Sequence, residues 1–207
     1  MRKMELRDAL DQISEIRQRM ARGQVFRGYR SVTTAFTALL AVVTSAAQRA
    51  WVPRPSRDVD DYLWLWCGAA VVSLLVVGVE MAIRAVRSGS VMHRQMTMLA
   101  VDQFVPSLVA GALVTYAVGK FAGDTVWIMP GLWAVLFSLG VFASRRFLPH
   151  GVGLIAAYYL LAGLVCLAIG RNGATLWPWT MAIVFGTGQS LAAVVLWWTL
   201  ERNHGRD

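Results

Sequence analysis

Few side chains in this sequence could do chemistry in an apolar setting, and Glu80 comes first. It lies near one end of the apolar stretch Tyr62–Ile83, and Arg84 follows four residues later, on the same helical face. An ionisable group within a membrane span is a functional-site hypothesis by default, because burying it costs roughly 3 kcal/mol. Asp102 and Gln103 open the next apolar stretch at the same end. Glu80, Arg84, Asp102 and Gln103 are therefore expected to form one polar cluster at that end. A salt bridge at the interface, closing a helical hairpin, accounts for the same residues without a site.

Gln189 is the deepest strongly polar side chain, set in the string Gly186-Thr187-Gly188-Gln189-Ser190. Phosphate loops share such glycines, but they need a preceding strand and a solvated helix start, and an apolar span offers neither. Small residues that let helices approach, with Gln189 bonded across the interface, fit the pattern better. Gln189 is also the candidate polar handle for a ligand.

The tryptophans are unevenly placed. Trp51, Trp64, Trp66, Trp127, Trp177 and Trp179 gather toward one end of the spans with Trp133 a little deeper, while only Trp197 and Trp198 mark the other. Interfacial belts favour this residue type at both ends. The asymmetry suggests an aromatic-walled cavity in which Trp64, Trp127, Trp133, Trp177 and Tyr116 receive an apolar or cationic guest.

Other constellations are weaker. Asp58, Asp60 and Asp61 lack the ligand spacing of a calcium loop. Met92, His93, Met96 and Met98 offer soft ligands of the kind Cu(I) takes, yet Met fills helix contacts equally well. No metal or cofactor is expected. His93, His150 and His204 all fall outside the apolar stretches, which leaves no midplane pair for haem. Cys67 and Cys166 lie at similar depth and read as two small buried hydrophobes. No nucleophile, base and orienting group come together, so enzyme activity is not expected.

The elements that hold these residues must be membrane helices. Hydrophobic residues make up 57% of the chain and charged ones 15%, with a mean hydropathy of +0.51. Six apolar stretches run over Val32–Ala47, Tyr62–Ile83, Phe104–Phe121, Val126–Ala143, Val152–Gly170 and Leu176–Leu200. Lengths near 20 residues cross about 30 Å of hydrocarbon. The polar, Met-rich connection from Arg84 to Gln103 is expected to extend one of its flanking helices.

An internal repeat organises the later spans. Leu113–Trp127 reads LVTYAVGKFAGDTVW and Leu164–Trp177 reads LVCLAIGRNGATLW; the match resumes where Ala134–Gly140 parallels Ala182–Gly188. A fainter echo in Val42–Arg49 extends the pattern to the first two spans. The expected fold is all-α, with six transmembrane helices arranged as three tandem helical hairpins behind an amphipathic cytoplasmic helix. Mitochondrial-type carriers also use three hairpins, but their charged motif after the prolines of odd-numbered helices is missing here.

The expected divisions are an amphipathic helix over 1–28, a bundle over 29–202 and a tail over 203–207. In the first, Leu6, Ala9, Leu10, Ile13, Ile16 and Met20 share a helical stripe, while the opposite face mixes signs. A mixed face suits docking on protein better than lying on anionic lipid. A second copy or a cytoplasmic protein is thus the expected partner of residues 4–20, beside membrane lipid. The first 30 residues lack the apolar core of a cleavable signal.

Of the 20 Lys and Arg residues, fifteen flank the spans on one side. The excess places both termini in the cytoplasm, in a multi-pass protein of the inner (plasma) membrane. The formal charge of +8 is then an orientation signal, and nucleic acid is not expected as a partner. The functional expectation is a non-enzymatic protein that binds or senses an apolar ligand or lipid and contacts a partner through its N-terminal helix. The alternative is a small transporter or channel for a neutral or small solute; the scarcity of charged residues near the midplane counts against ion-coupled transport but leaves facilitated passage of neutral solutes open.

Overall fold

The structure, a computed structural model, describes residues 31–87, 91–147 and 151–198. The expected helix over 1–28, its contact segment 4–20 and the tail over 203–207 lie outside the described residues. Those residues form helices and no strand. Among the described residues, six helices are long and apolar enough to cross a membrane.

Helix α1 spans Ser31–Trp51, α2 Val59–Arg87, α3 Val91–Phe121, α4 Met129–Ser144, α5 Val152–Ile169 and α6 Pro178–Leu196. Charges complement the dipole of α2, with Asp60 and Asp61 in its first turn and Arg84 and Arg87 in its last. Pro130 and Pro178 sit at the first positions of α4 and α6, where a missing N–H is harmless. Gly151, with φ of 117°, turns the chain into α5.

Both α2 and α3 run past the apolar stretches that identify them, so the polar connection between them is largely helical. Pro106 accordingly stands deep inside α3 instead of near its start. The connections leading into α4 and α6 are short 3₁₀ turns, Gly123–Ile128 before α4, and Gly170–Asn172 with Ala174–Leu176 before α6. These turns pack on one another, and the Thr175 hydroxyl donates 2.6 Å to the Trp127 carbonyl.

Each helix packs beside its neighbours in sequence, and α1 closes the circle against α6. The extensive interfaces are α1–α6, α4–α5 and α3–α4, while α2–α3 and α5–α6 are sparser. Backbone contact explains the α4–α5 interface. A Cβ on Gly131 would lie 2.7 Å from the Gly163 carbonyl oxygen, and one on Gly163 would lie 2.7 Å from that of Gly131. Ser138 and Ser144 of α4 donate to Ala156 O and Ala100 O, at 2.7 and 3.0 Å, tying α4 to both neighbours. Small residues that let backbones meet, with hydroxyls bonded across, are the means by which helices associate in lipid.

Two buried clusters fill the interior. The one nearer those 3₁₀ turns joins Tyr62, Leu63, Trp66, Val126, Met129, Leu176 and Met181. The other centres on Ala134, Ile155, Ala156, Tyr159 and Val184, with Phe104, Phe137 and Phe185 packed against it.

Candidate functional site

The inward face of α1 is polar. Its buried residues are Ser31, Thr34, Thr37, Ala38, Ala41, Thr44, Ser45 and Gln48, whereas Val32, Phe36, Leu39, Val42 and Val43 face outward. Spacings of three and four put the first set on one stripe. From Ser31 to Gln48 it runs about 26 Å at 1.5 Å per residue, close to the thickness of a bilayer core. Two hydroxyls turn back on their own helix: Thr37 Oγ1 donates to Thr34 O at 2.8 Å and Ser45 Oγ to Ala41 O at 2.9 Å. Such bonds satisfy a buried hydroxyl without a second helix.

At the C-terminal end of α1, Gln48 joins its own helix to α2 and to the turn before α6. It is fully buried; its Nε2 donates 2.9 Å to the Leu176 carbonyl, and its Oε1 accepts from Trp66 Nε1 at 2.8 Å. One turn along α2 from Trp66, the Tyr62 ring lies nearly parallel to that of Trp133, with centroids 6.3 Å apart. Trp133 Nε1 donates 2.8 Å to Thr115 Oγ1, which itself donates to Gly111 O at 2.7 Å. The Tyr62 hydroxyl is sealed from solvent and has no hydrogen-bond partner among the described residues.

At the opposite end of α1, Thr33 donates to the Glu80 carboxylate, and Arg84 Nε pairs with the same group at 3.1 Å. Glu80 therefore fastens α2 to α1. Asp102 and Gln103 are exposed on α3 and form no hydrogen bond or ion pair among the described residues. Of the four polar residues grouped by sequence, only Glu80 and Arg84 are in contact.

Opposite the middle of α1, α6 departs from regular geometry. Residues Ala182–Gly186 form a π-helical turn. The Thr187 N–H then reaches both Ile183 O and Val184 O. The Tyr158 hydroxyl donates to Ile183 O at 3.0 Å or Val184 O at 3.2 Å, and Tyr159 to Phe185 O at 3.4 Å. Two tyrosines of α5 thus supply hydrogen bonds where the ladder is disturbed. Gly186 meets α1 here, since a Cβ on it would lie 3.8 Å from Ala38 O. Insertions of this kind cluster at functional sites.

The remaining candidates scatter. Trp64, Tyr116 and Trp177 are exposed at 78%, 66% and 55%, so they line the outside of the bundle. Trp127 and Trp133 are half-buried and face inward. Gln189 is half-buried and forms no hydrogen bond among the described residues. Cys67 and Cys166 are free thiols. The Met92, His93 and Met96 side chains fall outside the described ones.

Gln48, Tyr62 and the hydroxyl stripe are what a search for charged residues passes over. The signal was present, because Ser, Thr and Gln recur along the first span at helical spacing. Gln48 stands one residue beyond the expected end of that span at Ala47. Compared with protein-family models, with curated proteins and with solved structures, the chain matches none.

Proposed function

We propose that this chain is a non-enzymatic, multi-pass protein of the cell's inner membrane that binds or senses a mostly apolar molecule carrying a neutral hydrogen-bonding group. The observation that carries the reading is the inward face of α1, where hydroxyls and the Gln48 amide line the interfaces with α6 and α2 and no charged residue occurs on the helix before Arg49. Neutral donors and acceptors select neutral partners, because a charged guest would be desolvated without compensation.

In this reading both termini are cytoplasmic and residues 4–20 contact a partner, either a second copy or a cytoplasmic protein. Residues 4–20 precede α1 in the chain, so α1, which carries the binding face, is the element whose shift would carry the signal. The turns before α4 and α6 are both built of 3₁₀ segments, the second one broken at Gly173, and this likeness supports descent of these hairpins from a repeat. Native mass spectrometry of protein released from mild detergent tests the reading. A reproducible extra mass on the wild type that is lost in Gln48→Leu is expected; a bare chain in both would defeat it.

A second reading, facilitated passage of a small neutral solute, is favoured by the length of the polar stripe, which reaches from one end of α1 to the other. Glycerol entry into proteoliposomes, measured against protein-free vesicles, decides it.

A further inference from the structure

The Tyr62 hydroxyl has no place in the packing just described. Its residue is 1% exposed, and the phenolic oxygen has neither solvent nor a hydrogen-bond partner among the described residues. The indole and amide groups around it are already engaged, and the thiols of Cys67 and Cys166, which also lie near it, are weak hydrogen-bonding groups. The Trp66 indole is taken by Gln48, the Trp133 indole by Thr115, and Gln48 by Trp66 and Leu176. A buried hydroxyl left unpaired is destabilising, and phenylalanine would fill the same space without that cost. A group kept at such a cost calls for a partner that comes and goes.

We infer that the Tyr62 hydroxyl is the hydrogen-bonding anchor of a ligand subsite in the outer half of the bundle, and that its guest is an apolar molecule bearing one neutral oxygen, as a ketone or an alcohol does. The inference rests on the binding reading above and adds the chemical class of the guest. The surroundings set that class. Trp66, Val126, Met129, Leu176 and Met181 form the apolar cluster around Tyr62, and the Trp133 ring lies alongside. The buried polar side chains among the described residues are Ser, Thr and Gln, none acidic or basic, so a charged headgroup would find no buried counter-ion there. The subsite is closed in this structure. Entry requires helices to part, and the sparse α2–α3 interface beside Tyr62 is where they part most readily.

The test compares 2-nonanone with n-nonane, two probes of similar length that differ in a carbonyl. Affinities are read from the concentration dependence of the thermal unfolding midpoint of the full chain in one detergent. Wild type and Tyr62→Phe are run side by side, so that partition of each probe into micelles cancels between the proteins. Wild type should bind the ketone about fivefold more tightly than the alkane, the size of one net hydrogen bond. Tyr62→Phe should lose that preference while unfolding, without ligand, no earlier than wild type.

A retained preference in Tyr62→Phe overturns the inference, as does an earlier midpoint or a failure of the variant to fold, since either gives the hydroxyl a structural partner. Equal binding of both probes by wild type also overturns it while leaving the binding reading intact. If neither probe shifts the wild-type midpoint, the inference and the reading beneath it fall together.

Discussion

Replacing Gly188 with alanine puts the packing of α6 on α5 to a quantitative test. A Cβ at Gly188 would lie 2.3 Å from Tyr159 Cζ, 2.5 Å from its hydroxyl and 2.8 Å from Cε1, well inside van der Waals contact. The ring has little freedom to move away. Tyr159 is 0% exposed, edge-on to Phe137 at 4.8 Å, tilted against Phe185 at 5.5 Å and edge-on to Tyr158 at 5.5 Å. Overpacking costs about 1–3 kcal/mol, and contacts this short against a ring held on three sides put the cost in the upper half of that range, about 2–3 kcal/mol. Alanine recovers up to about 1 kcal/mol of helix propensity. The net expectation is a loss of about 1–2 kcal/mol, or a midpoint lowered by roughly 2–8 °C for a chain of this size. Thermal unfolding in mild detergent, followed by circular dichroism, measures it. Gly78→Ala is the control: a Cβ there meets nothing within 4 Å, so its midpoint should hold or rise. In a Tyr159→Leu background the cost of Gly188→Ala should largely vanish, because the two changes share one contact. If Gly188→Ala unfolds at or above the wild-type temperature, the close approach described here is wrong.

Gln48→Leu should destabilise by about 1–3 kcal/mol in the same assay, because it strands the Trp66 indole N–H and the Leu176 carbonyl in the interior. Glu80→Gln should cost less than about 1 kcal/mol, since its pair with Arg84 is partly exposed and the Thr33 bond survives; a larger loss would show the ion pair to be integral to the bundle. With Cys67 and Cys166 replaced by Ser, Ser56→Cys should react with an impermeant maleimide on intact cells, and Arg145→Cys only after permeabilisation. The reverse pattern would invert the proposed orientation.

The six spans were legible because length and hydropathy suffice to mark them, and the structure has six such helices. Their ends were less so. The polar segment after Ile83 carries charge that hydropathy excludes, yet the backbone of α2 continues to Arg87, and α3 begins at Val91. Of the candidate site, the Glu80–Arg84 pair followed from helical spacing. The fates of Trp64 and Trp133 did not, because hydropathy cannot distinguish a tryptophan facing out from one turned in. The stripe from Ser31 to Gln48 was readable as a pattern but hidden by attention to charge. The π turn at Ala182–Gly186 has no local sequence signature; packing against α5 and α1 accompanies it.

Closure of the bundle by α1 against α6 has a consequence for synthesis. The ribosome makes α1 first among the six spans and α6 last, so the helix with the most polar face waits longest for its partner. During that interval Gln48 has Trp66 of α2 but not the Leu176 carbonyl, and the part of the stripe that will meet α6 has only lipid, water at the headgroups or a chaperone to face. Cooperative assembly must come at the end of translation, and a chain stopped before Pro178 would present that stripe to the machinery that clears unfinished membrane proteins.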